Sequence, residues 1–325
     1  MLYWVIERHG AANLARSLAA AVPAWVAAAA AIYFVSIVVG AYQWYLLLKY
    51  QGLDYSYYRS FRTYYAGTFL NNFLPGSVGG DALRVYEVQK STSLLPKVAA
   101  ATFFDRMIGL WALSCFSLAA VLYTLARGSV NETAFRHMLL AVSVVFLVLA
   151  GILTALLSGR LARLIHRLLN RKSLAWLNEL YSRVQDVCRV YRSRPGALTW
   201  LLAVSVLVQI LRITAHWCCA FSLGLAISPV YLFTFIPIIA LAGVIPLNIG
   251  GWGLPQSIGT YLYTLPGVIG GHGGDVKVTA AAMAFLPSVV GLVVMLGGGF
   301  YFVSGKPAVD PAAAGPEAVD PGETN

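Results

Sequence analysis

Charge is scarce in this chain: Asp, Glu, Lys and Arg make up 11% of its 325 residues, against about 25% in an ordinary soluble domain. With 59% hydrophobic side chains and a mean hydropathy of +0.71, that scarcity excludes a water-soluble globular domain and defines an integral membrane protein. Cysteine is also sparse. Cys115, Cys188, Cys218 and Cys219 have no metal-ligand spacing, so neither a disulfide framework nor a zinc site is indicated. Enzyme signatures are missing too: no H-E-x-x-H, G-x-S-x-G, phosphate-binding loop or dinucleotide fingerprint occurs. His9, His137 and His272 fall in polar segments and read as solvated loop residues. No cofactor or metal is expected.

What the chain does have is long apolar runs. A membrane helix needs about 20 mostly apolar residues. Five stretches qualify, at roughly 22–48, 99–126, 138–158, 197–224 and 277–303, while two further apolar regions, 61–83 and 229–266, are interrupted by Pro and Gly. The apolar run near the N-terminus is too long for the core of a cleaved signal and reads as a retained helix. The stretch after about residue 304 is rich in Pro and Ala, and is expected to be a disordered cytoplasmic tail (305–325) behind a membrane domain (1–304).

The net charge of +10 raises nucleic acid as a partner, but nine of the 23 basic residues fall between Arg160 and Arg194. That is what a cytoplasmic loop carries, so no nucleic-acid partner is expected. The segment reads as an amphipathic helix, with Leu161, Leu164, Ile165 and Leu168 on one side, resting on the anionic leaflet. A specific lipid site there is the second reading. Placing this loop in the cytoplasm puts Lys49, Arg59, Arg84, Lys90 and Lys97 on the same side by alternation. The two interrupted regions must then enter and leave on one side each, and on opposite sides from one another.

Those two regions align. Pro75, Gly79, Gly80 and Leu83 match Pro246, Gly250, Gly251 and Leu254 at an offset of 171, giving P-x-x-x-G-G-x-x-L twice. Paired Gly/Pro-interrupted segments in two halves of a membrane protein are the signature of inverted repeats with a midplane site between broken helices. Two unrelated helix breakers would give the same spacing.

The polar residues inside apolar sequence carry the chemistry. Asp81 is positioned to cap a helix starting after the glycines, and Arg84 lies on the same face three residues on. A cap with an internal ion pair and a ligand site are both open readings. Asp105 and Arg106 sit inside an apolar run and point about 100° apart, so they face different neighbours; Asp105 with Arg84, and Arg106 with Asp81, are the candidate pairs. Arg212 lies near the centre of its helix, where a guanidinium costs roughly 3 kcal/mol, so it marks a cavity or a partner. Gln209 and His216 share its face. Arginine suits bidentate recognition of phosphate or carboxylate, which points to an anionic substrate group. In the second interrupted region Asn248 precedes Gly250 and Gly251, and Trp252 and Gln256 follow. Helix N-termini after each Gly-Gly would offer free amides to an anion.

With these residues placed, the chain resembles the flippase-like transmembrane family named for the membrane region of lysylphosphatidylglycerol synthase. The resemblance rests on N-N-x-L-P-G-x-x-G-G-D-x-x-R at Asn71 to Arg84, F-D-R-x-I-G-L at Phe104 to Leu110, and I-P-x-x-I-G-G-x-G at Ile245 to Gly253. It implies a multi-pass protein of the bacterial inner membrane that moves an amphipathic lipid or lipid-linked molecule between leaflets, without the synthase's transferase domain. This chain departs from the family pattern at Pro255-Gln256, where relatives carry Arg-Glu, and shows no further membrane helix before Leu18.

The expected fold is therefore all-α: a polytopic integral membrane protein with two re-entrant broken-helix hairpins forming an inverted repeat. The expected function is transport of an anionic lipid, with membrane lipids as partners. Arg84, Arg106 and Arg212 would hold the head, and Asn71, Asn72 and Asn248 would hydrogen-bond it. Gly79, Gly80, Gly250 and Gly251 would permit close approach, with Asp81, Asp105, Gln209, His216 and Gln256 completing the site. The alternatives are an accessory protein of a lipid pathway such as hopanoid or envelope assembly, and a membrane-embedded enzyme using Asp81, Asp105 and His216.

Overall fold

The structure, a computed structural model, describes residues 11–74, 79–92, 94–128, 132–159, 161, 163, 167, 178, 181–182, 185, 189–244, 252–269 and 275–304. The described architecture is all-helical: α1 (Ala11–Ala19), α2 (Pro23–Tyr50), α3 (Tyr57–Leu70), α4 (Gly79–Thr92), α5 (Leu95–Ala126), α6 (Glu132–Leu157), α7 (Pro195–Ser222), α8 (Pro229–Val244), α9 (Leu254–Tyr263) and α10 (Val276–Val303). Among these, α2, α5, α6, α7 and α10 are long and apolar enough to cross a membrane. Each of the five expected spans is therefore present. Proline in the first turn starts α2, α5, α7 and α9, where its missing N–H is one the helix would leave unpaired. The short α1, ahead of Pro23, was not anticipated; it packs on α10.

The most extensive contact is between α2 and α7. The pair is antiparallel and tied at both ends: Val22 N–H donates to the Ser222 carbonyl at 2.8 Å, and the Tyr191 hydroxyl to the Leu47 carbonyl at 3.0 Å. Each helix has 28 residues, so the two run side by side for about 42 Å. The buried side of α2 carries Ala29, Ser36, Gly40 and Ala41, small residues that let helix backbones approach where lipid supplies no hydrophobic drive. The face of α6 with Leu140, Val144, Leu147 and Val148 is exposed and wholly apolar, as a lipid-facing side requires.

Both interrupted regions form a pair of short helices in contact across a break, α3 with α4 and α8 with α9. In the first pair the backbones touch at Gly67 and Gly80. A Cβ on Gly67 would lie 2.8 Å from the Gly80 carbonyl oxygen, and one on Gly80 would run into the Gly67 carbonyl. Glycine at both positions is what permits the crossing. In the second pair Gly253 has φ +114°, a conformation that disfavours any side chain, and its N–H donates to Gln256 Oε1 at 2.7 Å to close the start of α9. Residues 245–251, which hold Asn248, Gly250 and Gly251, lie outside the described residues, as do Pro75 and the tail 305–325.

Candidate functional site

A chain of charges ties the first helix pair to the long helices. Gln43 on α2 donates to Asp105 Oδ1 on α5 at 2.9 Å, and Arg84 on α4 donates to Asp105 Oδ2 at 3.3 Å. Arg84 also pairs with Asp81 one turn back on α4. Asp81 in turn accepts from Arg106 on α5, from Nε at 2.8 Å and from Nη2 at 3.2 Å. Both pairings anticipated from the sequence are formed. The expected cap differs: α4 already begins at Gly79, and the Asp81 carboxylate is taken by the two arginines instead. The Arg84 guanidinium stacks over Tyr64, 4.6 Å from the ring centre, and over Trp44 at 5.5 Å. A delocalised guanidinium tolerates such burial because aromatic faces replace part of its lost hydration.

Beside this chain lies a partly open cavity of about 380 Å³, lined by residues of α2, α3, α4, α5, α7, α8, α9 and α10. One wall is a polar stripe on α7 formed by Ser205, Gln209, Arg212 and His216. These residues are four, three and four apart, so they stack on one helix face. Gln209 Nε2 donates to the Gly109 carbonyl of α5 at 3.4 Å, which leaves its Oε1 buried without a partner; the Ser205 hydroxyl is likewise buried and unpartnered. His216 Nδ1 donates to the Arg212 carbonyl at 2.8 Å, so Nε2 is the ring atom left for other partners.

Arg212 differs from the other two arginines. The two guanidiniums of Arg84 and Arg106 are balanced by the carboxylates of Asp81 and Asp105. Arg212 makes no ion pair with any described carboxylate, and its Nε is buried without a hydrogen-bond partner. One uncancelled positive charge therefore faces the cavity among the described residues.

The opposite wall is built around Pro287. Inside α10 it has no N–H to bond the Met283 carbonyl, at a point where the helix borders the cavity. Its neighbour Ser288 accepts from Gln256 Nε2 at 2.8 Å. Gln256 thus joins α9 to α10 through its amide nitrogen and closes the α9 start through its amide oxygen.

Of the residues picked from the sequence, Asn71, Asn72, Arg84, Asp105, Arg106, Gln209, Arg212, His216 and Gln256 line this cavity. Asn71 and Asn72 also hold structure: Asn71 Oδ1 accepts from Gly80 N–H at 2.7 Å, bridging the break, and Asn72 Nδ2 donates to the Thr68 carbonyl at 3.1 Å. Gly79, Gly80 and Asp81 are not in the wall; Gly80 serves the α3–α4 approach, Gly79 makes room for the Leu74 side chain, and Asp81 stands behind Arg84 and Arg106. Sequence reasoning missed Gln43, Tyr64, Ser205 and Ser288. Gln43 is the one amide in the first apolar run, and Ser205 lies one turn before Gln209; both were available as signals.

A bundle with five candidate spans and a charged cavity between two broken-helix pairs defines a polytopic helical membrane protein with a polar interior chamber. The chain belongs to the family described as the lysylphosphatidylglycerol synthase TM region, whose profile matches residues 1–291. It is also 28% identical over 130 residues to a UPF0104 membrane protein of Pyrococcus horikoshii, a match spanning 39% of this chain and 38% of that protein. The chain thus spans about two fifths of the length of that curated relative.

Proposed function

We propose that this protein moves an anionic lipid, or a lipid-linked molecule with an anionic head, between the leaflets of the bacterial inner membrane. The observation that carries this reading is the Arg212 guanidinium, in the wall of a polar cavity and without a described carboxylate partner. A charge left uncancelled within a span is retained where a ligand or water path uses it. The head would enter the cavity while the chains stay in the bilayer between helices. In this reading α3–α4 and α8–α9 are re-entrant hairpins related as an inverted repeat, entering from opposite sides, with the 160–194 segment cytoplasmic. Irregular backbone at membrane depth is tolerated where it borders such a chamber. The ion pairs of Asp81 and Asp105 favour a positioning role over proton transfer by these carboxylates.

The test is leaflet exchange in proteoliposomes, following an acyl-labelled anionic phospholipid whose outer-leaflet label is destroyed by an impermeant reductant. The intact protein should accelerate exchange, and Arg212→Gln should remove the acceleration while the protein stays folded. Exchange equal to protein-free vesicles, or unchanged by Arg212→Gln, overturns the reading.

A further inference from the structure

A second void of about 380 Å³ lies on the other side of α5, between α5, α6 and α7. Phe104 and Trp111 of α5, Ala150 and Leu153 of α6, and Leu198 and Leu202 of α7 line it. The polar side chains at its edge are internally satisfied: the Thr154 hydroxyl donates to the Ala150 carbonyl at 2.6 Å, and the Ser158 hydroxyl accepts from Leu161 N–H at 3.4 Å. What faces the void is hydrocarbon. All three helices are candidate spans, so the groove opens onto acyl chains rather than water. An apolar void left empty forfeits the dispersion contacts of its whole lining, which an inserted chain restores.

The end of the groove is cationic. There α6 finishes at Leu157, and the Arg192 guanidinium packs against Gly159 so closely that a Cβ on that glycine would collide with it. Arg192 is exposed, as are Arg163, Arg167 and Arg194. The whole stretch from Arg160 to Arg194 carries nine basic residues against Glu179 and Asp186. A slot for hydrocarbon that ends at a guanidinium matches one amphiphile by charge and by shape. We propose that this groove is a binding site for an anionic phospholipid, with one acyl chain between Trp111 and Leu202 and its phosphate on Arg192. The site is separate from the central cavity and does not depend on the transport reading: Asp105, Arg106 and Gly109 of α5 face the cavity, and Phe104, Ile108 and Trp111 face the groove.

Trp111 supplies the probe. The full chain and its Trp111→Phe variant are reconstituted into phosphatidylcholine bilayers that contain, at equal mole fraction, phosphatidylglycerol or phosphatidylcholine with brominated acyl chains; the difference in fluorescence quenching isolates Trp111. Trp111 should be quenched at about fivefold lower mole fraction by the anionic lipid, the preference that one basic side chain gives at an anionic surface. Arg192→Gln should abolish that preference without abolishing quenching, and Ala150→Phe, which fills the groove, should abolish the selective quenching altogether. Equal quenching by both lipids in the full chain, no quenching of Trp111, or a preference that survives Arg192→Gln overturns the proposal.

Discussion

Arg84 and Asp105 are buried together, 3.3 Å apart, at the junction of α4 and α5. Both side chains are almost wholly withdrawn from the surface, so each depends mainly on the other and on the flanking groups, Gln43 for Asp105 and Asp81 with the Tyr64 face for Arg84. Removing one member of such a pair leaves a buried charge with too little compensation and costs roughly 3–5 kcal/mol, whereas replacing both by apolar groups of similar volume is far milder.

Asp105→Leu is therefore expected to lower stability strongly, and Arg84→Met added to it to recover a large part of the loss. Denaturant unfolding in detergent micelles measures both, and a double-mutant cycle gives the coupling. Additive losses would show that the two side chains act independently, against the geometry.

The α3–α4 approach makes a second prediction. Gly80→Ala places a methyl group against the Gly67 carbonyl, a backbone atom that has no rotamer through which to retreat. The helices must separate, at about 1–3 kcal/mol for overpacking. Gly151→Ala, with open space beside it on α6, is the control and should be neutral or slightly stabilising. Equal thermal stability of the two variants in the same detergent would contradict the close contact.

The five spans were legible because membrane helices announce themselves by length and apolarity alone. The packing was not: Ala29, Ser36, Gly40 and Ala41 of α2 are inside, but the lipid-facing side of the same helix is as apolar as the core, so no stripe marks the buried face. Ion partners were legible because the apolar sequence holds few charges to choose from; the separation of about 100° between Asp105 and Arg106 did not send them to different helices, since Arg84 and Asp81 both stand on α4, one turn apart. The role of Gly80 was not legible, because a glycine that admits a ligand and one that admits another helix look alike in sequence. Gln256 reads from the sequence as a residue of the site; its double structural duty is not legible there, because it depends on Ser288, 32 residues away.

That double duty is testable. Gln256→Leu removes the acceptor for Gly253 N–H and the donor to Ser288 together, so α9 loses its first-turn closure and its tie to α10. A lost helix closure plus an orphaned hydroxyl predicts about 1–3 kcal/mol of destabilisation. Gln256→Glu keeps the acceptor and should retain the closure. Hydrogen exchange localised to α9 distinguishes them: faster exchange in Gln256→Leu alone is the expected result, and equal exchange in both variants refutes the assigned closure.

Arg212 sets stability against use. Its guanidinium is not matched by any described carboxylate, so it is a cost to the folded protein that its ligand would offset. Arg212→Leu is therefore expected to raise thermal stability in detergent by up to about 3 kcal/mol while ending lipid exchange, the opposite of what a structural ion pair would show. Arg212→Lys keeps the charge but loses the planar fork, and should leave weak exchange. A large drop in stability for Arg212→Leu would mean that this side chain holds the fold together.

The same charge balance bears on which head is accepted. With Arg84 and Arg106 neutralised by Asp81 and Asp105, the described cavity wall presents one net positive charge, flanked by the unpartnered Gln209 Oε1 and Ser205 hydroxyl. A phosphodiester matches a single guanidinium, whereas a dianionic phosphomonoester would bring a second negative charge with no partner into a space beside Asp105. An adjoining hydroxyl on the head would satisfy Gln209 Oε1. Exchange rates should therefore fall in the order phosphatidylglycerol, phosphatidylmethanol, phosphatidic acid, and Gln209→Leu should erase the difference between the first two while leaving phosphatidic acid the slowest. Phosphatidic acid moving as fast as the diesters would mean that more positive charge reaches the head than Arg212 supplies.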